Sequence, residues 1–191
     1  ERYKDSGVEW LGEIPEHWTI KSLKRVVNIE NSGVYGSEEG KLPINRPICT
    51  TAHISSNNTF LFEKMPVRSF TEKDIKDYGS QAGDIFVVKS SGSKDNVISG
   101  KLALVENPKT KIVFSNFLMR IRCRNNQVYP KFIKYFLSNF WVKERVKRMV
   151  STTTYPNINV SEYSKQKIFI PSLEEQNRIV EFLDRKTEEI D

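Results

Sequence analysis

The chain contains little cysteine and little histidine. Cys49 and Cys123 are its two cysteines, they lie far apart and outside any CxxC motif, and there are two histidines in 191 residues. A zinc site needs four Cys, His or carboxylate ligands at characteristic spacings, and a disulfide framework needs several closely spaced cysteines. The sequence therefore predicts free thiols in a reducing cytoplasm, and neither a metal ion nor another cofactor.

Long apolar runs are also missing. No stretch approaches the roughly 20 apolar residues that span a bilayer, and the N-terminus has no signal-peptide pattern. With 38% hydrophobic and 11% aromatic residues, the chain can nevertheless build a packed core. Because it begins without methionine and its last helical pattern has no stop signal, we expect a piece of a longer protein. A natural half-subunit that dimerises is the alternative.

Common catalytic motifs are absent as well. The sequence has no GxxxxGK[ST], GxSxG, HExxH or GxGxxG element. Asp74 and Lys76 have an acid-x-Lys spacing, and Asp84 begins a predicted strand, so a small metal-dependent nuclease stays a lesser alternative. We expect a chain that catalyses nothing by itself.

What the sequence does contain is positive charge in its middle. Residues 41–170 hold 22 basic and nine acidic residues, a net charge of +13, whereas the whole chain has +6. A regional basic excess is typical of surfaces that bind nucleic acid. An RNA-binding accessory module is the nearest alternative to a DNA-binding protein, and it would expose aromatic side chains to single-stranded bases.

We expect an α+β fold with a twisted, mostly antiparallel β core and flanking helices, whose elements are placed by hydrophobic periodicity. On the long strand 112–124, Phe117, Met119, Ile121 and Cys123 are expected on a buried face. Arg120, Arg122 and Arg124 are expected on a basic outer face. We predict strands at 19–29, 48–54, 59–62, 84–89, 101–106, 112–124 and 167–170, a loop at 30–47, and helices at 71–79, from Pro130 to about residue 150, and from Pro171 to the end.

Polar loops next to basic residues are the best candidates for contacts with nucleic acid. One loop follows the strand 84–89, a second, Thr-rich loop follows the basic end of the helix from Pro130, and a third is 30–47. Their hydroxyl, amide and cationic groups can donate to phosphates or read base edges. The loop aromatics Tyr35 and Phe60 are further possibilities. The DNA-binding candidates are Asn45, Arg46, Lys89, Ser91, Ser93, Lys94, Thr153, Tyr155 and Asn157.

The last helix carries a heptad-like seam. Apolar residues recur there at spacings of three and four, which is typical of a coiled-coil-type helix. We therefore divide the chain into a recognition domain, 1–170, and the start of an assembly helix, 171–191. The predicted partner interface consists of Leu173, Ile179, Val180, Leu183 and Ile190.

Several segments, in this order, resemble the specificity subunits of type I restriction–modification systems. They are YKDSGVEWLGEIPEHWTIKSLKRV, GDIFVVKSSGSKDNVISGKLALV, NFLMRIRCRNN, PKFIKYFLSN and, most specifically, STTTYPNINVSEYSKQKIFIPSLEEQNRIVEFLDRKTEEID. The resemblance implies a target recognition domain that reads one half of a bipartite site in double-stranded DNA. It also implies conserved helices that join methyltransferase and restriction subunits, and a second target recognition domain in the same or a partner chain.

Overall fold

A computed structural model describes residues 2–90, 92–93, 96–124, 126–149 and 157–189. Its strands are β1 Tyr3–Asp5, β2 Glu13–Pro15, β3 Thr19–Ser22, β4 Val27–Glu30, β5 Ile44–Cys49, β6 Val67–Phe70, β7 Ile85–Val88, β8 Gly92–Ser93, β9 Asn96–Val97, β10 Leu102–Leu104, β11 Val113–Phe114, β12 Leu118–Cys123 and β13 Lys167–Ile170. Its α-helices are α1 Glu72–Tyr78, α2 Pro130–Ser138, α3 Phe140–Met149, α4 Val160–Ser164 and α5 Leu173–Glu188.

The centre of the fold is a four-stranded antiparallel sheet in the order β10-β7-β12-β4. Successive side chains along each strand point to opposite faces of the sheet. Val87 and Met119 therefore join one apolar cluster, while Phe86 and Leu118 join another on the opposite face. The first cluster also takes in α2 and part of α5. Because both faces are covered, the sheet is the middle layer of the molecule, and the predicted α+β class is confirmed.

The predicted basic outer face of β12 is wrong for Arg120 and Arg122, since the second apolar cluster covers that face, whereas Arg124 follows the strand and is exposed. Arg120 is only 8% exposed, and its guanidinium donates to the carbonyl oxygens of Asp77 and Gly79. Arg122 forms two hydrogen bonds with the carboxylate of Asp84. Phe117, which was predicted to be buried, precedes the strand and is 52% exposed.

A second sheet has the order β11-β5-β6, with β11 parallel and β6 antiparallel to β5. The strand predicted at 48–54 instead occupies 44–49, because residues 51–53 turn into a 3-10 helix whose capping box joins Thr50 and His53. Helix α1 begins at the predicted Thr71–Asp74 capping box and ends at the predicted Gly79. The segment 59–62 contributes one isolated bridge, between Phe60 and Ile54.

Three other predicted elements are divided. The strand predicted at 19–29 is split by the 3-10 helix Leu23–Arg25, the strand at 112–124 by a turn at 115–117, and the helix from Pro130 at Asn139. The N-terminal strands form two small sheets: β1 pairs with β2, and β3 pairs with β13 from near the other end of the chain. Among the described residues, no helix is both long and apolar enough to cross a membrane.

Candidate nucleic-acid interface

Several polar loops lie together at one end of the central sheet. There the carboxyl ends of β4 and β7 meet the amino end of β12, as the pairs Arg120–Glu30 and Leu118–Val88 require. The backbone N–H groups of Lys89 and Ser90 both donate to the carbonyl oxygen of Phe117. We call this region the sheet-end surface, and it consists of Asn31, Ser32, Lys89, Ser90, Asn116, Phe117 and Asn157.

Lys89 holds this surface together and supplies its charge. Its ammonium donates to the carbonyl oxygen of Asn31 at 2.8 Å, and burial lowers the pKa of Lys89. An ammonium has three N–H donors, so one bond to Asn31 leaves it able to bind an anion as well. The Ser32 hydroxyl donates to the carbonyl oxygen of Asn116, which ties the segment after β4 to the turn before β12.

Two loops that are remote in sequence meet here. Ser90 forms a β-bridge with Asn157, and the N–H of Ile158 donates to the carbonyl oxygen of Lys89 at 2.9 Å. The connection after Lys89 continues into the hairpin β8–β9, in which Ser93 pairs with Asn96. The structure therefore places the start of the β7–β10 connection beside the end of the Thr-rich loop.

Of the predicted binding residues, Lys89 and Asn157 lie on this surface, and Asn157 is exposed. The backbone of Ser93 lies in β8, and its side chain is outside the described part of the chain. Ser91, Lys94, Thr153 and Tyr155 are outside the described residues altogether.

Asn45 and Arg46 were predicted to lie in a loop. They lie instead in strand β5 of the second sheet. The side-chain oxygen of Asn45 accepts a hydrogen bond from the N–H of Gly40 at 3.0 Å. Arg46 lies directly opposite Arg68 on β6. The guanidinium of Arg68 lies over the ring of the exposed Tyr35, 4.3 Å from its centroid. Sequence reasoning missed Arg68, although its place between Val67 and Ser69 in a short β-branched and aromatic run could have indicated a strand.

The arginine pair and the sheet-end surface are linked by a short segment. Tyr35 follows Asn31 by four residues, and an extended chain of four residues spans at most about 14 Å. The N–H of Val34 donates to the carbonyl oxygen of Phe114, which fixes the segment between them. The two groups of polar residues are thus near enough to contact one duplex, whose major groove is about 12 Å wide.

The carboxylates considered for a nuclease have structural partners. Asp74 accepts hydrogen bonds from the backbone and side chain of Thr71. Asp84 accepts from Arg122 and from the N–H of Gln81 at 2.7 Å. In the described ranges, no cluster of three His, Cys, Asp or Glu residues could hold a metal ion. These contacts give the nuclease alternative no support.

Helix α5 is attached at the opposite end of the central sheet. The side-chain amide of Gln176 is fully buried, accepts from the N–H of Tyr129 at 2.8 Å and donates to the carbonyl oxygens of Gln127 and Pro171. Asp184 accepts from the Tyr135 hydroxyl and pairs with Lys131. These residues follow β12 or lie on α2 and α5, so the helix and the sheet-end surface are separated by the length of the sheet.

The predicted seam on α5 is divided between two environments. Val180 is 4% exposed and belongs to the core of its own domain, so its assignment to a partner interface is wrong. Leu173 is 47% exposed, and Phe182, which the predicted interface omitted, is 52% exposed. Ile179 and Leu183 are half-buried, and Ile190 lies outside the described residues.

Comparisons with known proteins agree with this architecture. A curated protein of Methanocaldococcus jannaschii, named as the specificity subunit of the type I restriction enzyme MjaX, is 27% identical over 174 residues, which is 91% of this chain and 40% of that protein. A structure from a study of assembly and conformational transition of the type I R-M system superimposes with a TM-score of 0.69, at 18% identity over 98% of this chain and 42% of the other.

The HsdS subunit of Thermoanaerobacter tengcongensis superimposes with a TM-score of 0.66, at 16% identity, over 98% of this chain and 40% of that subunit. The chain thus spans about two fifths of the length of these relatives. The family of type I restriction modification DNA specificity domains matches residues 15–191. The resemblance found in the sequence is confirmed, and the chain belongs to this family.

Proposed function

We propose that this chain recognises one half of a bipartite site in double-stranded DNA, as the specificity subunit, or half of it, of a type I restriction–modification complex. One observation carries the proposal. The Ser90–Asn157 bridge brings together, beside Lys89, two polar loops that both carry sequence-predicted binding residues. A surface assembled from distant loops on a rigid sheet can differ in sequence without loss of the fold, as recognition of different sites requires.

The chemistry follows from the groups present. Lys89 neutralises a phosphate, and this contributes an affinity that falls with salt concentration. Amide and hydroxyl groups of Asn157 and of the β7–β10 connection then reach base edges, and a good bidentate contact discriminates by about 1–3 kcal/mol. The remaining predicted residues, Ser91, Ser93, Lys94, Thr153 and Tyr155, extend this surface in the proposal.

The proposal assigns no catalysis to this chain and gives the chemistry to methyltransferase and restriction subunits. Helix α5 supports the division, because Gln176 attaches it beyond the carboxyl end of β12, away from Lys89, and its Leu173 and Phe182 are exposed. We assign Leu173, Ile179, Phe182 and Leu183 to contacts with these subunits or with a second target recognition domain. The two free cysteines are consistent with work in the cytoplasm.

Selection from a pool of randomised duplexes tests the function, because the target sequence is not needed beforehand. The chain is expected to enrich a short motif and to prefer duplex DNA to single-stranded RNA in competition. Lys89→Gln is expected to weaken binding roughly tenfold, by the loss of a charged hydrogen bond. The matched control is Lys186→Gln, which removes an exposed lysine that is paired with Glu189 on α5. A preference for RNA, or DNA cleavage by the purified chain in magnesium, would overturn the proposal.

A further inference from the structure

Strands β5 and β6 present two arginines on one face without a carboxylate between them. Arg46 and Arg68 are direct partners in the antiparallel register, so their side chains project from the same side of the sheet. Both are half-buried. Within the described part of the chain, neither guanidinium forms an ion pair.

Arg68 is held in one orientation. Its Nε donates to the carbonyl oxygen of Tyr35 at 2.9 Å, and its Nη2 donates to that of Gly36 at 3.2 Å. Gly36 has a φ of +71°, and a Cβ there would lie 2.5 Å from the ring of Phe70. Glycine is therefore required for this close approach, which brings the two carbonyl groups to Arg68. The bonds leave Nη1 without a protein acceptor among the residues that the structure describes.

Arg46 is less completely satisfied. Its Nη1 donates to the carbonyl oxygen of Asn45 at 2.7 Å. Its Nε is buried and, among the described residues, has no hydrogen-bond partner. Buried donors in native proteins are normally paired, so an orphan N–H on a charged group indicates a missing acceptor.

This arrangement is unfavourable for the isolated chain. Like charges directly opposite each other on a sheet repel, and partial burial removes water that would screen them. A bound anion would reverse both effects, since a phosphate accepts charge-assisted hydrogen bonds from several guanidinium N–H groups at once. Arginine suits this role because its planar fork matches phosphate geometry.

We propose that Arg46 and Arg68 form an anion-binding site for one phosphodiester group of the DNA backbone, with Tyr35 as the platform that orients Arg68. This inference rests on the proposed function and adds a second contact to it, beside Tyr35, which follows Asn31 by four residues and lies at most about 14 Å from it. The site fixes the position of the duplex against the sheet-end surface. It reads no base, because phosphate contacts carry no direct sequence information.

Binding measured at several salt concentrations tests the site. Affinity for duplex DNA is compared for the unchanged chain, Arg46→Gln, Arg68→Gln and the double variant. Each variant is expected to bind roughly tenfold more weakly. The double variant is also expected to reduce the slope of log K against log salt by about 0.9, the value for one phosphate. Each single variant should lose no more slope than the double variant, since both arginines share one phosphate.

The loss should be the same for the selected motif and for unrelated duplex. Arg178→Gln, which removes an α5 arginine that pairs with Glu174, is the control and should keep the full slope. Circular dichroism and the melting temperature verify that each variant is folded. Unchanged affinity and slope in both arginine variants, or an altered sequence preference, would overturn the site.

Inorganic phosphate serves as a second probe that does not depend on DNA recognition. Nuclear magnetic resonance should show the Nε–H signals of Arg46 and Arg68 shifting together as phosphate is added, and Arg68→Gln should abolish the shift at Arg46. If phosphate binds and no duplex does, the site stands as an anion site and the proposed function fails. If duplex binds and neither arginine signal responds to phosphate or to DNA, the site fails and the proposed function stands.

Discussion

Arg122 of β12 and the arginines of the β5–β6 pair are all strand residues in the basic middle of the chain, yet they differ in how their charge is compensated. Arg122 is matched by the fully buried carboxylate of Asp84, through two bonds of 2.7 and 2.8 Å. Arg46 and Arg68 face each other and donate to backbone carbonyl groups. The charge of Arg122 is therefore compensated within the chain, whereas those of Arg46 and Arg68 lack an anion.

The comparison shows that regional net charge does not locate a binding surface. Arg120, Arg122 and Arg124 contribute to the basic excess but are engaged by the fold, since Arg124 also donates to the carbonyl oxygen of Val27. An arginine of the basic middle is a candidate for binding where the fold leaves it both without a counter-charge and with unpaired donors, and this depends on strand pairing. Each of the following predictions changes one charge and compares the outcome with that at a second, matched charge.

The largest effect is expected for Asp84→Asn. The substitution leaves Arg122 partly buried without its anion, and loss of one partner of such a pair costs about 3–5 kcal/mol of unfolding free energy. Urea unfolding measures it. Asp77→Asn is the matched control, because the pair of Asp77 with Lys73 is exposed and solvent screening leaves such a pair little effect on stability. Equal losses of unfolding free energy in the two variants would show that the Asp84–Arg122 pair contributes no more than an exposed pair.

A smaller effect, dependent on pH, is expected at the compensated anion Glu175. Burial raises the pKa of Glu175, but hydrogen bonds from Ser172, His17 and Trp18 outweigh it and lower that pKa to about 2. A lowered folded-state pKa stabilises the chain above the ordinary value of 4.5, and this stability is lost as the pH falls from about 4.5 through 2.

Glu175→Gln should flatten the stability profile in that range and cost about 1 kcal/mol or less at neutral pH, since glutamine also serves in a capping box. Thermal melts between pH 2 and 7 measure the profile. Glu174→Gln, at an 82% exposed side chain, should retain the profile of the unchanged chain. A profile for Glu175→Gln as steep as that of the unchanged chain would contradict the assignment.

The smallest effect, of opposite sign, is expected for Arg46→Met. Removing one of two facing like charges should leave the unfolding free energy unchanged or raise it by up to about 1 kcal/mol. Urea unfolding at low salt is the measurement. The comparison is Arg122→Met, which leaves the buried carboxylate of Asp84 without its cation and should lower the unfolding free energy. A loss of more than about 1 kcal/mol in Arg46→Met would mean that this arginine supports the fold.

Local elements were predictable where a local signal exists. The capping box at Thr71 and Asp74 and the stop at Gly79 bound α1 as expected, and Pro130 begins α2 as expected. The end of that helix was not predictable, because the apolar stripe continues past the break at Asn139. Strand 112–124 was predicted as one element for a similar reason, since its alternation continues through the turn at 115–117.

The candidate site was predictable in composition and not in assembly. Lys89 and Asn157 were identified as polar residues near basic segments, but no periodicity indicates that Ser90 and Asn157 form a bridge across 67 positions. Whether an arginine has a charged partner was equally unpredictable from the sequence. Arg46 and Arg122 look alike in sequence, and the position of Asp84 beside one of them is a property of the sheet register.

The sequence by itself determined the family, the α+β class, the starts of α1, α2 and α5 and the binding candidates, because these depend on residue types at short spacings. Tertiary structure alone decided that Val180 belongs to the core, that α5 and the sheet-end surface lie at opposite ends of the sheet, and that Arg46 faces Arg68. The physical reason is that burial and charge compensation arise from contacts between residues distant along the chain. The order of strands sets those contacts, and local pattern does not encode it.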